Sequence, residues 1–338
     1  MYPATGQRSC HDASGLRIPC PGSGQDGEFR RGVSWPSPRF GVAGDVVEDR
    51  LTGLVWPRNA LLAEFPLDWN EALAFIRDLN RQALYGQQDW RLPNRRELRS
   101  LMSYQTRLPA LPEDHPFENV FSGWYWSSTT AALAPAHAWC VHMEGARMFY
   151  GGKDQYYMVW PVRGEGNGLL AATGQTDCHD ARGQVLACRS TGQDGELRMG
   201  RPWSSPRFVV GEEVVLDRLS GLCWSVVASL TAQRVDWEEA LAAVRHLCEA
   251  QPERGWRLPN INELETLVDC SQASPALPEN APFREVQAGY WSSTTSMFEP
   301  DWAWALYLDK GALGVGQKSG RHFHVWVVRD PLEKEFSW

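Results

Sequence analysis

No apolar run in this chain approaches the roughly 20 residues that a membrane-crossing helix needs, so no integral membrane segment is expected. The familiar catalytic signatures are missing too. There is no G-x-S-x-G, no H-E-x-x-H, no glycine-rich phosphate loop and no C-x-x-C, and the eight histidines are scattered. Excess positive charge is lacking: 33 Lys and Arg stand against 41 Asp and Glu, a net charge of -8. Wholesale binding to nucleic acid or an anionic membrane depends on neutralising phosphates, and this balance disfavours it. Residues 1–10 are polar and carry no apolar core, so no signal peptide is present as written. Tryptophan and cysteine, by contrast, are plentiful. Seventeen Trp suit dense small domains or surfaces that stack on ligands. Eight Cys in an acidic chain point to an oxidising compartment. The expectation is a secreted, periplasmic or cell-surface protein whose leader has been replaced by Met1; a cytoplasmic protein with reduced thiols is the alternative.

At 338 residues two domains are expected, and self-comparison supplies them. Thr5-Gly6-Gln7, Cys10-His11-Asp12, Cys20 and Gly24-Gln25-Asp26-Gly27-Glu28 recur 168 residues later, as do Trp35, Pro38-Arg39-Phe40, Leu54 and Trp56. Trp90-Arg91-Leu92-Pro93-Asn94 then meets Trp256-Arg257-Leu258-Pro259-Asn260, and Tyr125-Trp126-Ser127-Ser128-Thr129-Thr130 meets Tyr290-Trp291-Ser292-Ser293-Thr294-Thr295. The repeats are assigned to 1–165, with a disulfide-closed segment 1–39, and 169–338, with segment 169–207. Gly164-Glu165-Gly166-Asn167-Gly168 is expected as a flexible linker.

Each repeat reads as α+β. Asp68 caps a helix with Glu71 three residues on, and Trp69, Ala72, Leu73, Ile76 and Leu79 share one face. Asp236, Glu239, Trp237, Ala240, Leu241, Val244 and Leu247 repeat the pattern. Asn94 with Glu97, and Asn260 with Glu263, start a second helix just after a proline. Strands are expected at 125–129, 138–143 and 156–162, where aromatic and β-branched residues gather between glycine turns. Two helices packed on an antiparallel sheet follow.

The D-x-L-T-G-L-x-W strand (with Ser220 for the Thr in the second repeat), the D-W-x-x-A-L helix, W-R-L-P-N-x-x-E-L, Y-W-S-S-T-T and the closing W-x-V-R occur in order, twice. Together they resemble the Legionella collagen-like adhesin C-terminal domain family, over nearly all of 40–164 and 208–330. The resemblance implies a fold similar to C-type lectins and formylglycine-generating enzymes. It also implies a secreted or surface-exposed binding domain, in some members for sulfated polysaccharide. It brings no catalytic residues and no cofactor.

Cys10 and Cys20, duplicated as Cys178 and Cys188, read as local disulfides; a zinc site on Cys10, His11 and Cys20 is the alternative and lacks a fourth ligand. Cys248 and Cys270 occur in the second repeat alone, at the ends of its two helices, and are expected to bridge. Cys140 and Cys223 read as buried thiols. Gln25-Asp26-Gly27-Glu28 offers too few oxygens for Ca²⁺ and reads as a hairpin turn. Arg91, Arg95, Arg96 and Arg99 could grip an anion bidentately, or form a solvated helix face. Only the first repeat would suit a polyanion, since 1–168 carries 17 basic against 18 acidic residues and 169–338 carries 16 against 23.

The binding surface is expected on the last strands, where the repeats keep apolar positions and vary the others. Trp139, Val141 and Met143 would face the core and alternate with Cys140 and His142. His142, Tyr150 and Tyr156 in the first repeat, and Tyr307, His322 and His324 in the second, would line ligand faces, flanked by Trp302 and Arg321. The function expected is non-enzymatic recognition or adhesion, on a carbohydrate or protein ligand. The alternatives are a formylglycine-generating-type thiol or metal enzyme, and a structural tandem domain that assembles with itself or a neighbour, so a homo-oligomer stays open.

Overall fold

The computed structural model describes residues 1–332 as a mixed α/β chain with six small antiparallel sheets in two repeated halves. Each half begins with a Cys-bearing segment and continues into a core. The compact units do not follow the repeats, however. One unit is the continuous stretch Ser34–Pro202 joined by Asp269–Ser271. The other combines Met1–Val33, Trp203–Val268 and the chain from Gln272. The first core thus packs with the segment that follows it, and the second core packs with residues 1–33. The division at 165/169 marks which residues are equivalent; compactness depends on which segment fills which core.

The first core opens with the meander Phe40–Ala43, Val46–Asp49 and Leu54–Pro57. Helix Trp69–Arg81 follows. Asp68 accepts from the Glu71 backbone at 2.8 Å, and Glu71 accepts from the Asp68 backbone at 3.0 Å. A cap of this kind stabilises a helix by about 1 kcal/mol. The helix buries Trp69, Ala72, Leu73, Ile76 and Leu79 against Trp90, Leu92, Trp126, Ala138, Cys140 and Val159. Asn94 and Glu97 form the same reciprocal cap on the short helix Arg95–Ser100. A three-stranded sheet completes the core: Trp124–Thr130, His137–His142 and Met148–Gly152.

The second core repeats this plan. Its meander is Phe208–Val210, Val214–Asp217 and Leu222–Ser225, extended by Val328–Arg329. Its helices are Trp237–Ala250 and Ile261–Leu267, both with capping boxes. Its sheet is Gly289–Thr295, Trp302–Tyr307 and Ala312–Gln317.

Several expectations change. The stretch 156–162 forms no strand ladder. It makes single bridges to Leu67, Tyr125 and Arg91 in three different elements, and so crosses elements without lining up along any one. The middle strand is not two-faced: Trp139, Cys140 and Val141 are all buried, because the first helix covers the Cys140 face and Arg95 lies 4.3 Å above the Trp139 ring. Only the strand ends are half-exposed: His137 and His142 in the first core, Trp302 and Tyr307 in the second. The linker is tethered: the Asn167 backbone donates to Thr52 O at 2.8 Å, and its side-chain amide donates to Leu51 O at 3.0 Å.

Candidate functional site

On the unit built around the second core, the sheet and the chain closing over it frame a pocket of about 510 Å³. That is the size of a small-molecule or sugar-unit site. Trp302, Tyr307, Val315, Gly316, His322, Phe323 and His324 line the pocket together with Ala288 and Gly289, and Arg234, Gln287 and Asp309 add polar side chains. Trp302 and Tyr307 start and end the middle strand. Backbone bridges from Phe323 to Val235 and from His324 to Tyr290 hold the closing chain in place. Tyr307 donates its hydroxyl to Val315 O at 2.9 Å and packs edge-on to Phe323 at 5.1 Å. His324 Nδ1 lies 3.5 Å from Ser229 Oγ and from Thr231 O. Gly316 leaves room for this packing, since a Cβ there would come 2.5 Å from Phe323 Cε2. The surface thus offers aromatic faces, two imidazoles, a guanidinium and a carboxylate within one concavity.

Trp302, Tyr307, His322 and His324 therefore lie together. Arg321 does not line the pocket: it pairs with Glu239 at 2.7 Å on the exposed flank of the first helix. Arg234, which the sequence reading missed, supplies the pocket's guanidinium. Its counterpart is Pro66, and that difference between the repeats was the available signal.

The equivalent positions of the first core are arranged otherwise. His142 meets Trp124 edge-on at 4.8 Å, and burial followed by Arg147 lowers its pKa. Tyr150 stacks on Phe149 at 4.8 Å and sits edge-on to Trp139 and His137. Tyr156 is turned to solvent.

The arginines on and just before the second helix are neither a solvated face nor an open anion grip. All four are buried. Arg91 pairs with Glu97 at 2.6 and 2.8 Å and donates to Gly164 O. Arg96 donates to Ala172 O at 2.7 Å, and Arg99 to the Tyr104 hydroxyl. The helix is only six residues long and lies under segment 169–202, so even its outward positions are covered.

Cys10–Cys20 and Cys178–Cys188 are disulfides, which removes the zinc alternative for those sulfurs. The expected Cys248–Cys270 bridge is absent: both are free thiols, as are the buried Cys140 and Cys223. Cys248 sits at the end of its helix with Sγ 2.8 Å from Trp256 O, whereas Cys270 lies in the short stretch that belongs to the unit of the first core. Gln25-Asp26-Gly27-Glu28 is not a hairpin turn. Asp26–Phe29 is a single helical turn closed by Arg30 in the left-handed region, and Asp26 is buried.

The family model of the Lcl C-terminal domain matches residues 45–163 and again 213–329. The chain belongs to this family. Both matched stretches are the cores of the Lcl C-terminal domain, without the Cys-bearing segments. No curated protein and no solved structure matches the chain. The family suggests an adhesin-like surface module, and the disulfides and the family together hint at an extracellular location.

Proposed function

We propose that the protein is a secreted or surface-exposed, non-enzymatic recognition and adhesion module of lectin-like architecture, which takes a carbohydrate or protein ligand at the pocket of its second core. The observation that carries this reading is the meeting of Trp302, Tyr307, His322 and His324 with Arg234 and Asp309 around 510 Å³. Aromatic rings stack on a sugar face or a peptide side chain, and the charged rim orients polar groups. A thiol enzyme needs a reactive thiolate. Burial instead raises the Cys270 thiol to about 11 and pushes Cys140 up further, which favours recognition over catalysis.

The test is a glycan-array and protein pull-down screen with the full chain, repeated with Trp302→Ala, Arg234→Ala and His322→Ala. Each substitution should weaken binding about tenfold or more, with the melting temperature held for the exposed pair, Arg234 and His322. Unchanged affinity in all three moves the site away from this pocket.

A further inference from the structure

The two Cys-bearing segments share a set of anchoring contacts. In the second-core unit, Asp26 Oδ2 accepts from Thr5 and Thr294 at 2.7 and 2.8 Å. The Gln7 amide exchanges hydrogen bonds with the Thr295 backbone at 2.8 and 2.9 Å. Lys318 Nζ donates to His11 O and Asp12 O, both at 3.1 Å, and lies 4.1 Å above the Trp237 ring. The first-core unit repeats each contact. Asp194 accepts from Thr173 and Thr129, Gln175 pairs with Thr130, and Lys153 donates to His179 O and Asp180 O. Neither core carries a group among these anchors by which it could tell one segment from the other.

Chain connection is what differs. The first core is followed directly by the segment that fills it, within Ser34–Pro202. The second core is filled by residues 1–33, which precede the whole of the other unit. The structural repeat is therefore a core plus the next segment, and the second core closes by reaching back to the first segment of the chain.

We infer that residues 1–33 of a second copy of this chain fill the second core equally well, so that copies join head to tail by segment exchange. The contacts made would be the same as those within one chain, and the exchange requires that the segment leave its own core and the chain at Val33–Ser34 extend away from it. Exchange of an identical element is a low-cost route to assembly, and it competes with closure inside one chain once protein concentration nears the effective concentration of the tether, on the order of millimolar. Because the surfaces used are different on the two partners, the products are rings or open chains.

The test uses full-length chains, half of them ¹⁵N-labelled. Ser9 Oγ and Met297 Sδ lie 3.7 Å apart across the segment–core contact, and Ser9→Cys with Met297→Cys puts a thiol on each side. Oxidised at about 1 mM, the mixture should give disulfide-linked species of mixed isotope, at least about tenfold more than at about 1 μM. Chains oxidised first when dilute, with the segment locked to its own core, should stay monomeric when concentrated. Bonds confined to single chains at every concentration overturn the proposal. So does equal association of the locked chains, which would place the contact elsewhere. Should the thiols not join, native mass spectra of the unmodified chains decide. Mixed-isotope species must appear, and must appear faster in Lys318→Met, which lacks the clamp on His11 and Asp12; their absence, or an equal rate, overturns the proposal.

Discussion

Arginine is the residue this fold buries most deliberately. Arg39 meets Asp49 through two hydrogen bonds of 2.9 and 2.8 Å and reaches Ser100 O, and Arg207 does the same with Asp217 and Thr266 O. Both carboxylates are fully buried, and each also holds the turn that follows it: Asp49 accepts from Leu51 N and Thr52 Oγ1. Removing the guanidinium strands a buried charge. Arg39→Ala and Arg207→Ala should each cost about 3–5 kcal/mol in urea unfolding, whereas Arg81→Ala, at an exposed pair, should cost under about 1 kcal/mol. Equal, small losses would show that the buried pairs are exchanged for water at little cost. At the same scale the sulfurs separate cleanly. Non-reducing peptide mapping should find Cys10–Cys20 and Cys178–Cys188 linked and Cys140, Cys223, Cys248 and Cys270 free; a linked Cys248–Cys270 peptide would contradict the arrangement. In the sequence Arg39 and Arg207 stood out only as part of a recurring Pro-Arg-Phe, and Arg95, Arg96 and Arg99, charges at helical spacing, read as solvated because the covering segment was not known.

At the scale of the element, the docked segment carries its own pH dependence. Burial raises the Asp26 carboxyl from 3.8 to about 7, against the opposing effect of the Thr5 and Thr294 hydroxyls. Its Oδ2 accepts both hydroxyls, and its Oδ1 has no partner among the described residues. Between about 4 and 7 the folded state therefore keeps a proton that the unfolded chain has released, and this group's contribution to stability falls as pH rises through that window. Lys318 runs the other way: burial lowers it from 10.5 to about 7, so its contribution grows as pH rises from about 7 to 10.5. Together the two groups leave segment 1–33 least favoured near neutral pH. Asp26→Asn should flatten the decline in urea midpoint between pH 4 and 7; an unaltered slope would assign the dependence to other groups. The helices of both cores were legible in advance, since a capping box followed by an apolar stripe depends on near neighbours alone. The third strand of each sheet, and the ladderless closing stretch, were not. Met148–Gly152 and Ala312–Gln317 take their places from pairing with the middle strand, and Phe149, Tyr150 and the glycines carry no alternation of their own. The pocket was legible in part: comparing repeats found Trp302, Tyr307, His322 and His324, while Arg234, opposite Pro66, lies in the loop before the first helix and comes to the pocket only through the fold.

For the whole molecule, similarity between the halves identified which residues are equivalent and left open which of them pack together. The anchors at Thr5, Gln7 and Asp26 match those at Thr173, Gln175 and Asp194, so either partnering satisfies these anchors. The difference has a direct consequence for a cut in the linker. Glu165, Gly166 and Asn167 are exposed, and a protease site placed there divides the chain between the two repeats. If each repeat closed on itself, the products would be two independent domains. With the segments exchanged, the fragment 1–165 contributes residues 1–33 to the core of the other fragment, and that fragment contributes residues 169–202 in return. Each segment is tied by buried hydrogen bonds from Asp26 or Asp194, by a glutamine pairing and by a lysine clamp. The nicked chain should therefore elute in size-exclusion chromatography as one species at the position of the uncut protein, and separate into halves only in denaturant. Elution as two half-size species under native conditions would show that the repeats close on their own segments.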